Sequence, residues 1–516
     1  MVQHHINKED KDKDMSRFHF IIFLLIIRMQ LLAQCPLPCY IDKPYVNDAA
    51  QTNKLTAEKK WDNIDIPMQQ VLIVEDVLNN DGIPEIVVAG SRRKNGVYTP
   101  FVDELLIVNT IEKKVEKKIN TASMFFYPLG NCIVVDIDND CKKGIVIIAA
   151  DGSLDPYGLT NPDSLRGRLV CYDLDGNILW KSDHRVGINR SGNVGLNCVI
   201  SIADFNHDGI PELVVFNEIY NARTGKRLCH GGNNGISSGL SFENGCNATV
   251  ANVDDDDDLE LVAGCTVYKV KITNPDGESG NQMRPINMLF DGQCVDGTTA
   301  VADINGDGRL DVIVSSKGLH SNQLKTRIGL YCYTIEEDSA RLIANIGMLN
   351  NHYWEYTTPM MIGKLDSSGY PTINMYTYTD FGGFSELRGF VYDGSTILKE
   401  EWILPVGKNI KYYYMTMFDL NNDGVMDIIY KGVNNLLIIN IINGRPVVIN
   451  SVECINHIGT ANPIVADIDG SGSAKICVPC TGRLNIFGPP EGQRWAPARK
   501  IWHQYNYNPL FINDDG

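Results

Sequence analysis

Short acidic loops recur along this chain, and they carry the side chains best suited to hold a metal ion. The clearest loop runs from Asp303 to Asp311, with side-chain oxygens at positions one, three, five and nine and a glycine at position six. Oxygens that alternate along a tight turn converge on one point, and Ca²⁺ accepts six to eight such ligands in irregular geometry. Asp, Asn and Gly are also the ordinary residues of turns, so a single loop would be weak support for a metal site.

The same spacing returns at four other places, which makes a chance turn a poor explanation. Two of these loops keep the pattern, one alters positions one and six, and one has an extra residue after the first oxygen. The predicted metal ligands of the five loops are Asp76, Asn79, Asp81 and Glu85; Asp204, Asn206, Asp208 and Glu212; Asn252, Asp254, Asp256 and Glu260; Asp303, Asn305, Asp307 and Asp311; and Asp419, Asn421, Asp423 and Asp427.

Three further copies are eroded. In one copy Lys364 and Thr372 remove two carboxylates and add a positive charge, so we expect no metal there. The other two leave metal binding open: one contains Asp136, Asp138 and Asp140 followed by Cys141 and Gly144, and the other contains Asp467, Asp469, Ser471, Gly472 and then Lys475.

The spacing of the loops predicts the fold. Their fifth positions fall at 81, 140, 208, 256, 307, 368, 423 and 471, a period typical of propeller blades. Apolar Val/Ile runs enter and leave each loop, and a more polar hairpin such as Leu169–Trp180 follows. Four strands in each of eight units predict an all-β, eight-bladed β-propeller over residues 45–490, with a seven-bladed ring as the alternative. We expect few helices, and we expect Leu55–Ile66 to complete the last blade.

Charge and the N-terminal residues indicate an exported protein. The net charge of -17 argues against nucleic acid or an anionic membrane surface as partners. Residues 1–34 resemble a secretory signal peptide, because Arg17 precedes the apolar run Phe18–Ile27, which is too short for a stable span; Met15 is an alternative start. We therefore predict a secreted or outer cell-surface location, with no membrane span once the signal is removed.

The chain has 14 cysteines, and in an exported protein these are expected to form disulfides. Two candidate pairs are Cys246 with Cys265 and Cys132 with Cys141. The Cys477-x-x-Cys480 spacing resembles a redox or zinc motif, but no second pair at metal-ligand spacing accompanies it and its flanks are strand-like. We therefore predict no such site.

The loops with their following strands, above all Asp303–Val314 and Asp419–Ile429, resemble the FG-GAP or VCBS repeats of integrin α-subunit propellers and of many secreted bacterial proteins. The resemblance covers roughly Val71 to Phe487. It implies that the oxygens of positions one, three, five and nine, with the backbone carbonyl of position seven, hold Ca²⁺ between the first two strands of a blade. EF-hand loops share the opening spacing but are flanked by helices and end in an acid at position twelve, so that alternative fails.

The C-terminal tail, residues 491–516, differs in amino-acid composition from the repeats. Its stretch Trp495–Tyr507 is similar to one that follows such propellers in large surface proteins exported by the type IX secretion route. Those proteins continue into adhesive modules and a sorting domain, so the resemblance implies a truncated chain or a departure from the pattern. The alternative interpretation is that these aromatic residues cap the last blade.

Two functions follow from these expectations. The first is a non-catalytic, calcium-binding propeller scaffold that mediates adhesion or binds an extracellular protein or glycan, with no organic cofactor. The alternative is a calcium-dependent enzyme acting on an acidic glycan, because some polysaccharide lyases are similar eight-bladed propellers. Its candidate bases His230, His352 and His457 stand alone in the sequence, and the Gly235-x-Ser237-x-Gly239 string lacks the strand-to-helix context of a nucleophile elbow.

Overall fold

The computed structural model describes residues 55–61, 68–90, 93–94, 97–98, 101–125, 132–137, 142–150, 167–186, 199–232, 235, 248–254, 256–290, 292–294, 296–318, 327–346, 360–366, 370–379, 384–408, 414–455, 462–481 and 483–502. These residues form 36 β-strands and no helix. None of them therefore forms a helix long and apolar enough to cross a membrane. The predicted signal peptide and the last residues of the tail lie outside these ranges.

The strands divide into eight blades in chain order. The first strand, β1 (Glu58–Trp61), belongs to blade 8. Blade 1 contains β2 (Met68–Glu75), β3 (Glu85–Gly90), β6 (Phe101–Asn109) and β7 (Lys114–Phe125), with a small hairpin of β4 (Arg93–Lys94) and β5 (Val97–Tyr98). Blade 2 contains β8 (Cys132–Asp136), β9 (Lys143–Ala150), β10 (Gly167–Tyr172) and β11 (Ile178–Lys181). Blade 3 contains β12 (Ile200–Ala203), β13 (Glu212–Val215), β14 (Glu218–Asn221) and β15 (Arg227–His230).

The remaining blades repeat this order. Blade 4 contains β16 (Thr249–Ala251), β17 (Glu260–Ala263), β18 (Thr266–Lys271) and β19 (Gln282–Asn287), followed by a hairpin of β20 (Leu289–Phe290) and β21 (Gln293–Cys294). Blade 5 contains β22 (Gly297–Ala302), β23 (Asp311–Gly318), β24 (Arg327–Glu336) and β25 (Ser339–Asn345). Blade 6 contains β26 (Met360–Gly363), β27 (Thr372–Thr379), β28 (Phe384–Val391) and β29 (Lys399–Lys408). Blade 7 contains β30 (Tyr414–Phe418), β31 (Asp427–Lys431), β32 (Asn435–Ile442) and β33 (Arg445–Glu453), and blade 8 contains β34 (Ile464–Ala466), β35 (Lys475–Cys480) and β36 (Arg483–Gly488) with β1.

Each blade is an antiparallel sheet with consecutive strands paired. Blades 1 and 2 are also joined by one cross-blade pair, between Met124 and Ala149. The polar hairpins predicted from turn residues are present, for example β10 with β11 around the Asp173–Asn177 turn. The eight predicted units are therefore eight blades, and the seven-bladed alternative is wrong.

The second strand of each blade explains the unbroken apolar runs in the sequence. Successive side chains of a strand point to opposite faces, and both faces of a blade pack against a neighbouring blade. In β31, Ile429 lies in the core between blades 7 and 8, whereas Ile428 and Tyr430 lie in the core between blades 6 and 7. Eight such cores exist among the described residues, one between each pair of neighbouring blades including blades 8 and 1.

The ring closes through strand β1. This strand pairs antiparallel with β36, where Glu58 faces Gly488 and Lys59 faces Phe487. Trp61 packs against the core between blades 8 and 1. The prediction that the segment Leu55–Ile66 completes the last blade is therefore confirmed for its described part, Leu55–Trp61.

Residues 495–502, here called the closing strap, cross the junction a second time. The backbone N–H of Ala496 donates to Leu420 O of blade 7 at 2.7 Å, and Ala496 O accepts from the N–H of Ala474 in blade 8 at 2.9 Å. The strap ends on blade 1, where Val74 and Trp502 exchange backbone hydrogen bonds of 3.1 and 2.6 Å. Trp495 is buried in the core between blades 7 and 8. The first two tail aromatics therefore pack on the ring, while Tyr505 and Tyr507 lie outside the described residues.

The cysteines differ in part from the predicted pairs. Cys132 is a free, buried side chain in the core between blades 1 and 2, so its predicted disulfide with Cys141 is wrong. Strand alternation turns Cys132 into that core rather than toward the loop that contains Cys141. Cys265 is disulfide-bonded, and its predicted partner Cys246 lies outside the described residues.

One disulfide, between Cys454 and Cys480, joins blades 7 and 8. Cys477 is free and buried in the core between blades 8 and 1, on the other face of β35 from Cys480. The two cysteines of the Cys-x-x-Cys string therefore do not act together. The string therefore forms no disulfide of its own.

Candidate metal centres

All eight acidic loops occupy the same place, between the first and second strands of a blade. The first strands of neighbouring blades contact one another, so they lie innermost in the ring. Position nine is also the first residue of the second strand in the five predicted metal loops, at Glu85, Glu212, Glu260, Asp311 and Asp427. One end of the propeller therefore carries a ring of acidic loops around its axis.

The carboxylate of position one organises the loops of blades 1, 3, 5 and 7. In blade 5, Asp303 Oδ1 accepts from the N–H of Gly306 at 2.6 Å, and Oδ2 accepts from the N–H of Gly308 at 2.9 Å. Asp204 accepts from Gly209 N at 2.9 Å, and Asp419 accepts from Gly424 N at 2.8 Å. A carboxylate held by backbone N–H groups is fixed in orientation, which is what a repeated metal loop needs.

Positive φ angles explain the glycine at position six. Gly308 has φ of 90°, and Gly209 and Gly424 have φ of 80° and 86°. A side chain is strained in this left-handed region, so glycine is favoured. The residue before position five is also left-handed, as at His207 with φ of 56° and Asn422 with φ of 56°. These two left-handed residues turn the loop back toward its first carboxylate.

The side chains of positions three and five are hydrogen-bonded to each other. In blade 7, Asn421 Nδ2 donates to Asp423 Oδ2 at 2.8 Å, while Asp423 Oδ1 accepts from the N–H of Val425 at 2.9 Å. The same amide-to-carboxylate contact occurs at 3.1 Å between Asn206 and Asp208, and it recurs in blades 1 and 5. Two of the four predicted ligand side chains, those of positions three and five, are therefore in direct contact in blades 1, 3, 5 and 7.

The acid at position nine is buried. One of its carboxylate oxygens accepts from the backbone N–H of position two, at 2.9 Å for Glu212 and Phe205 and at 2.8 Å for Asp427 and Leu420. The other oxygen of Asp427 accepts from Asn440 Nδ2. Burial first, and then the neighbouring loop carboxylates, raise the pKa of Glu212 to about 8. Burial likewise raises the pKa of the other position-nine acids to about 7, namely Glu85, Glu260, Asp311 and Asp427.

Blade 4 brings its acids closest together. The side chains of Asp254, Asp256 and Glu260 each place an oxygen within 4.8 Å of the others, and among the described residues they are the one such group. Glu260 Oε1 is buried and has no hydrogen-bond partner among the residues that the structure describes. A buried, unsatisfied carboxylate oxygen beside two other carboxylates fits a divalent cation, which would supply the missing partner.

The same loop also departs from the other four. Asp257 at position six does not take the left-handed conformation. Lys269, in the third strand, reaches into the loop, where it forms an ion pair with Asp254 and lies 3.0 Å from Asp256 Oδ2. Sequence spacing missed this lysine, although the register that places Lys269 opposite Glu260 is the signal that would have found it. Its ammonium competes with any metal ion for the two carboxylates.

The eroded copies are only partly described. Asp138, Asp140 and Cys141 lie outside the described residues, as do Ser368 and Gly369. Thr372 is buried at the head of β27, where the five predicted metal loops have an acid. Of the candidate bases, His230 is exposed at the end of β15, and His352 and His457 lie outside the described residues.

Comparison with known proteins identifies the fold but not a family. No protein-family model and no curated protein matches the sequence. The chain is similar in structure to the V. cholerae biofilm matrix protein Bap1, with a TM-score of 0.51 and 13% identity over 89% of this chain and 95% of that one. The fold is a β-propeller. Weaker likenesses are to the rhamnogalacturonan lyase YesW, with a TM-score of 0.49 and 15% identity over 86% of this chain and 77% of that one, and to the Dos1 propeller, with a TM-score of 0.37 and 11% identity over 84% and 95%.

Proposed function

We propose that this chain is a secreted or cell-surface scaffold of the FG-GAP or VCBS type, whose eight-bladed propeller is stabilised by Ca²⁺ and binds an extracellular protein or glycan without catalysis. The observation that carries the proposal is the repetition of one loop geometry in blades 1, 3, 5 and 7. In each of these loops a position-one carboxylate is fixed by backbone N–H groups and a position-nine acid is buried beside it.

Electrostatics supports a cation at these loops. Several carboxylates lie together at one end of the ring, and burial raises the pKa of every position-nine acid. Burying a charge without a partner is costly, and a divalent cation offsets that cost. The proposed ligands are the side-chain oxygens of positions one, three, five and nine in blades 1, 3, 4, 5 and 7, although in blade 4 the ion must displace Lys269.

An extracellular binding role fits the charge and the architecture. The net charge of -17 disfavours polyanionic partners, whereas the loops of a propeller offer a broad rigid surface. A propeller of similar fold occurs in a protein named for its place in a biofilm matrix. The partner class we propose is therefore a protein or a glycan that is not strongly anionic.

The test of calcium binding combines calorimetry with one loop variant. Chelation should lower the thermal midpoint, because an ion that binds only the folded state stabilises it by mass action. Asp303→Asn should remove part of that response. The control is Asp393→Asn, because Asp393 is an exposed turn aspartate whose Oδ1 accepts from Ser395 N at 3.1 Å and has no loop carboxylates around it. If the thermal midpoint is the same with and without chelator, the loops do not hold calcium.

The test of function is a binding array paired with an activity screen. The purified calcium form should bind a defined subset of glycans or extracellular proteins and should release no unsaturated products from acidic polysaccharides. Reproducible release of such products, lost on chelation, would replace the scaffold with the polysaccharide lyase hypothesis.

A further inference from the structure

The loop of blade 8 has the same backbone as the metal loops but a lysine where they have an acid. Asp467 Oδ1 accepts from Ser471 N at 3.1 Å and Oδ2 accepts from Gly472 N at 3.0 Å, as the first carboxylates of blades 3 and 7 do. Gly470 and Gly472 have positive φ angles of 63° and 71°. The loop is therefore fully formed. Its position three is Asp469 where blades 1, 3, 5 and 7 have asparagine, its position five is Ser471 in place of aspartate, and the sign of the charge is reversed at position nine, Lys475.

The ammonium of Lys475 turns inward to the oxygens of its own loop. Its Nζ lies 3.4 Å from Asp469 Oδ1, 3.1 Å from Ser471 Oγ and 3.0 Å from the backbone oxygen of Ser473. These oxygens belong to positions three, five and seven, the positions that the FG-GAP resemblance assigns to calcium. An ammonium has three donors, and here all three have an acceptor.

We propose that Lys475 is a built-in cation of blade 8, which replaces Ca²⁺ and makes the blade that closes the ring independent of the metal. The Lys475 side chain is 11% exposed, so a divalent ion would have to expel a buried like charge to reach these oxygens. The proposal extends the proposed function, because it states which loop of a calcium-binding ring does not take calcium.

The surroundings hold the lysine in this position. A Cβ added to Gly488 of β36 would lie 2.9 Å from Cδ of Lys475, so glycine leaves room for the lysine stem beside the closing strands. The closing strap covers the same loop, with Asp467 N donating to Arg499 O at 3.0 Å and Trp495 N donating to Ser473 Oγ at 3.0 Å. Blade 4 differs, because there the lysine comes from the third strand and the acid at position nine remains.

The experiment counts bound calcium ions per chain in three forms of the full protein. Lys475→Asp restores an acid at position nine and should bind one more ion than the wild type. Lys60→Asp is the matched control, because Lys60 is a partly exposed lysine of β1 in the same blade, and it should bind no additional ion. An ion found in the blade 8 loop of the wild-type protein, or a folded Lys475→Asp variant with no additional ion, overturns the proposal.

A second measurement does not depend on calcium binding elsewhere. In chelator, Lys475→Met should lower the thermal midpoint by roughly 5 °C, because it leaves buried carboxylates without their cation. Lys60→Met should leave the midpoint nearly unchanged. If Lys475→Met and the wild type have equal thermal midpoints in chelator, the built-in cation is refuted, whether or not the wild type binds calcium. If the wild type binds no calcium but Lys475→Met has a lower midpoint, only the proposed function is refuted.

Discussion

A few charged side chains are buried among the apolar cores of this propeller. Lys431 at the end of β31 is 1% exposed, and within the described part of the chain its Nζ has no hydrogen-bond partner. Glu75 is also buried, and it is paired with Lys143 at 3.3 Å across the junction of blades 1 and 2. A buried ion pair compensates its two charges, whereas an isolated buried ammonium is a net cost to folding.

Replacing Lys431 tests that cost. Burial lowers its pKa to about 7, below the value of about 10.5 for an unfolded lysine. Between these values the folded state binds fewer protons than the unfolded state, so the wild type gains stability as pH rises through this window and loses it as pH falls. We expect Lys431→Met to raise the free energy of unfolding near about pH 6 and to gain little near about pH 10.

The measurement is urea denaturation at several pH values. Lys181→Met is the control, because Lys181 is exposed on the outer strand β11, and its effect should be small and flat with pH. If Lys431→Met raises the free energy of unfolding by the same amount at every pH, burial of the charged ammonium carries no cost.

The acids at position nine predict the pH dependence of the chelated protein. Burial raises the pKa of Glu212 to about 8 and that of Asp427 to about 7, so between these values and their unfolded values the folded state binds more protons. The stability they contribute is fully present below the unfolded pKa and is lost as pH rises through the folded pKa. Thermal midpoints in chelator should therefore fall as pH rises from about 5 to about 8.

Calcium should reverse this trend, because the ion binds the deprotonated acids. Midpoints recorded in excess calcium should rise over the same pH range. If the chelated and calcium-loaded proteins share one pH profile, these acids do not hold metal.

Elements were predicted from sequence more completely than contacts between them. The period of the acidic loops and the Val/Ile runs predicted eight four-stranded blades, and Leu55–Trp61 was expected in the last blade. The contacts of Lys269 and the pairing of Cys454 with Cys480 were not foreseen. The Lys269 contact depends on the register between the second and third strands of blade 4. The position of Cys454 depends on the register of a fourth strand, which a bulge shifts between Ile438 and Ile439 in the pairing of β32 with β33. Loop spacing alone carries no information about that register.

The disulfide between Cys454 and Cys480 fixes one such register. It ties the residue after β33 to the end of β35, at a sequence separation of 26. Closing a loop of this size removes entropy from the unfolded chain, so we expect the Cys454→Ala, Cys480→Ala double variant to lose about 3 kcal/mol of stability. Urea denaturation of the two oxidised proteins measures the difference. A loss below about 1 kcal/mol would show that the strands hold this junction without the bond.

At the scale of the whole molecule, blade 8 is secured by several independent means. Strand β1 supplies its fourth strand, the closing strap crosses from blade 7 to blade 1, and a disulfide ties it to blade 7. Seven of the junctions join blades that are consecutive in the chain, but the junction of blades 8 and 1 brings together distant residues. Strand β1 and the end of the strap therefore reinforce the junction of blades 8 and 1, while the disulfide reinforces the preceding junction.

Truncating Trp495 tests the strap. Trp495 is 3% exposed between blades 7 and 8, so Trp495→Ala should cost about 3–5 kcal/mol through the cavity it creates. Hydrogen exchange should quicken in blades 7, 8 and 1, which the strap contacts. Leu179→Ala is the control, because Leu179 is 49% exposed on β11 and its loss should change stability by less than about 0.5 kcal/mol. If hydrogen exchange quickens only in the strap itself, the ring closes without the strap.

The pairing of Glu58 with Gly488 also sets the order in which the molecule can be completed. A ribosome makes β1 first, and the strand that accepts it emerges only after every other blade. Until then the nascent chain carries an unpaired edge, which is open to pairing with other chains. Closure of the ring therefore waits for the last blade, and the exposed edge makes partial propellers prone to association during synthesis.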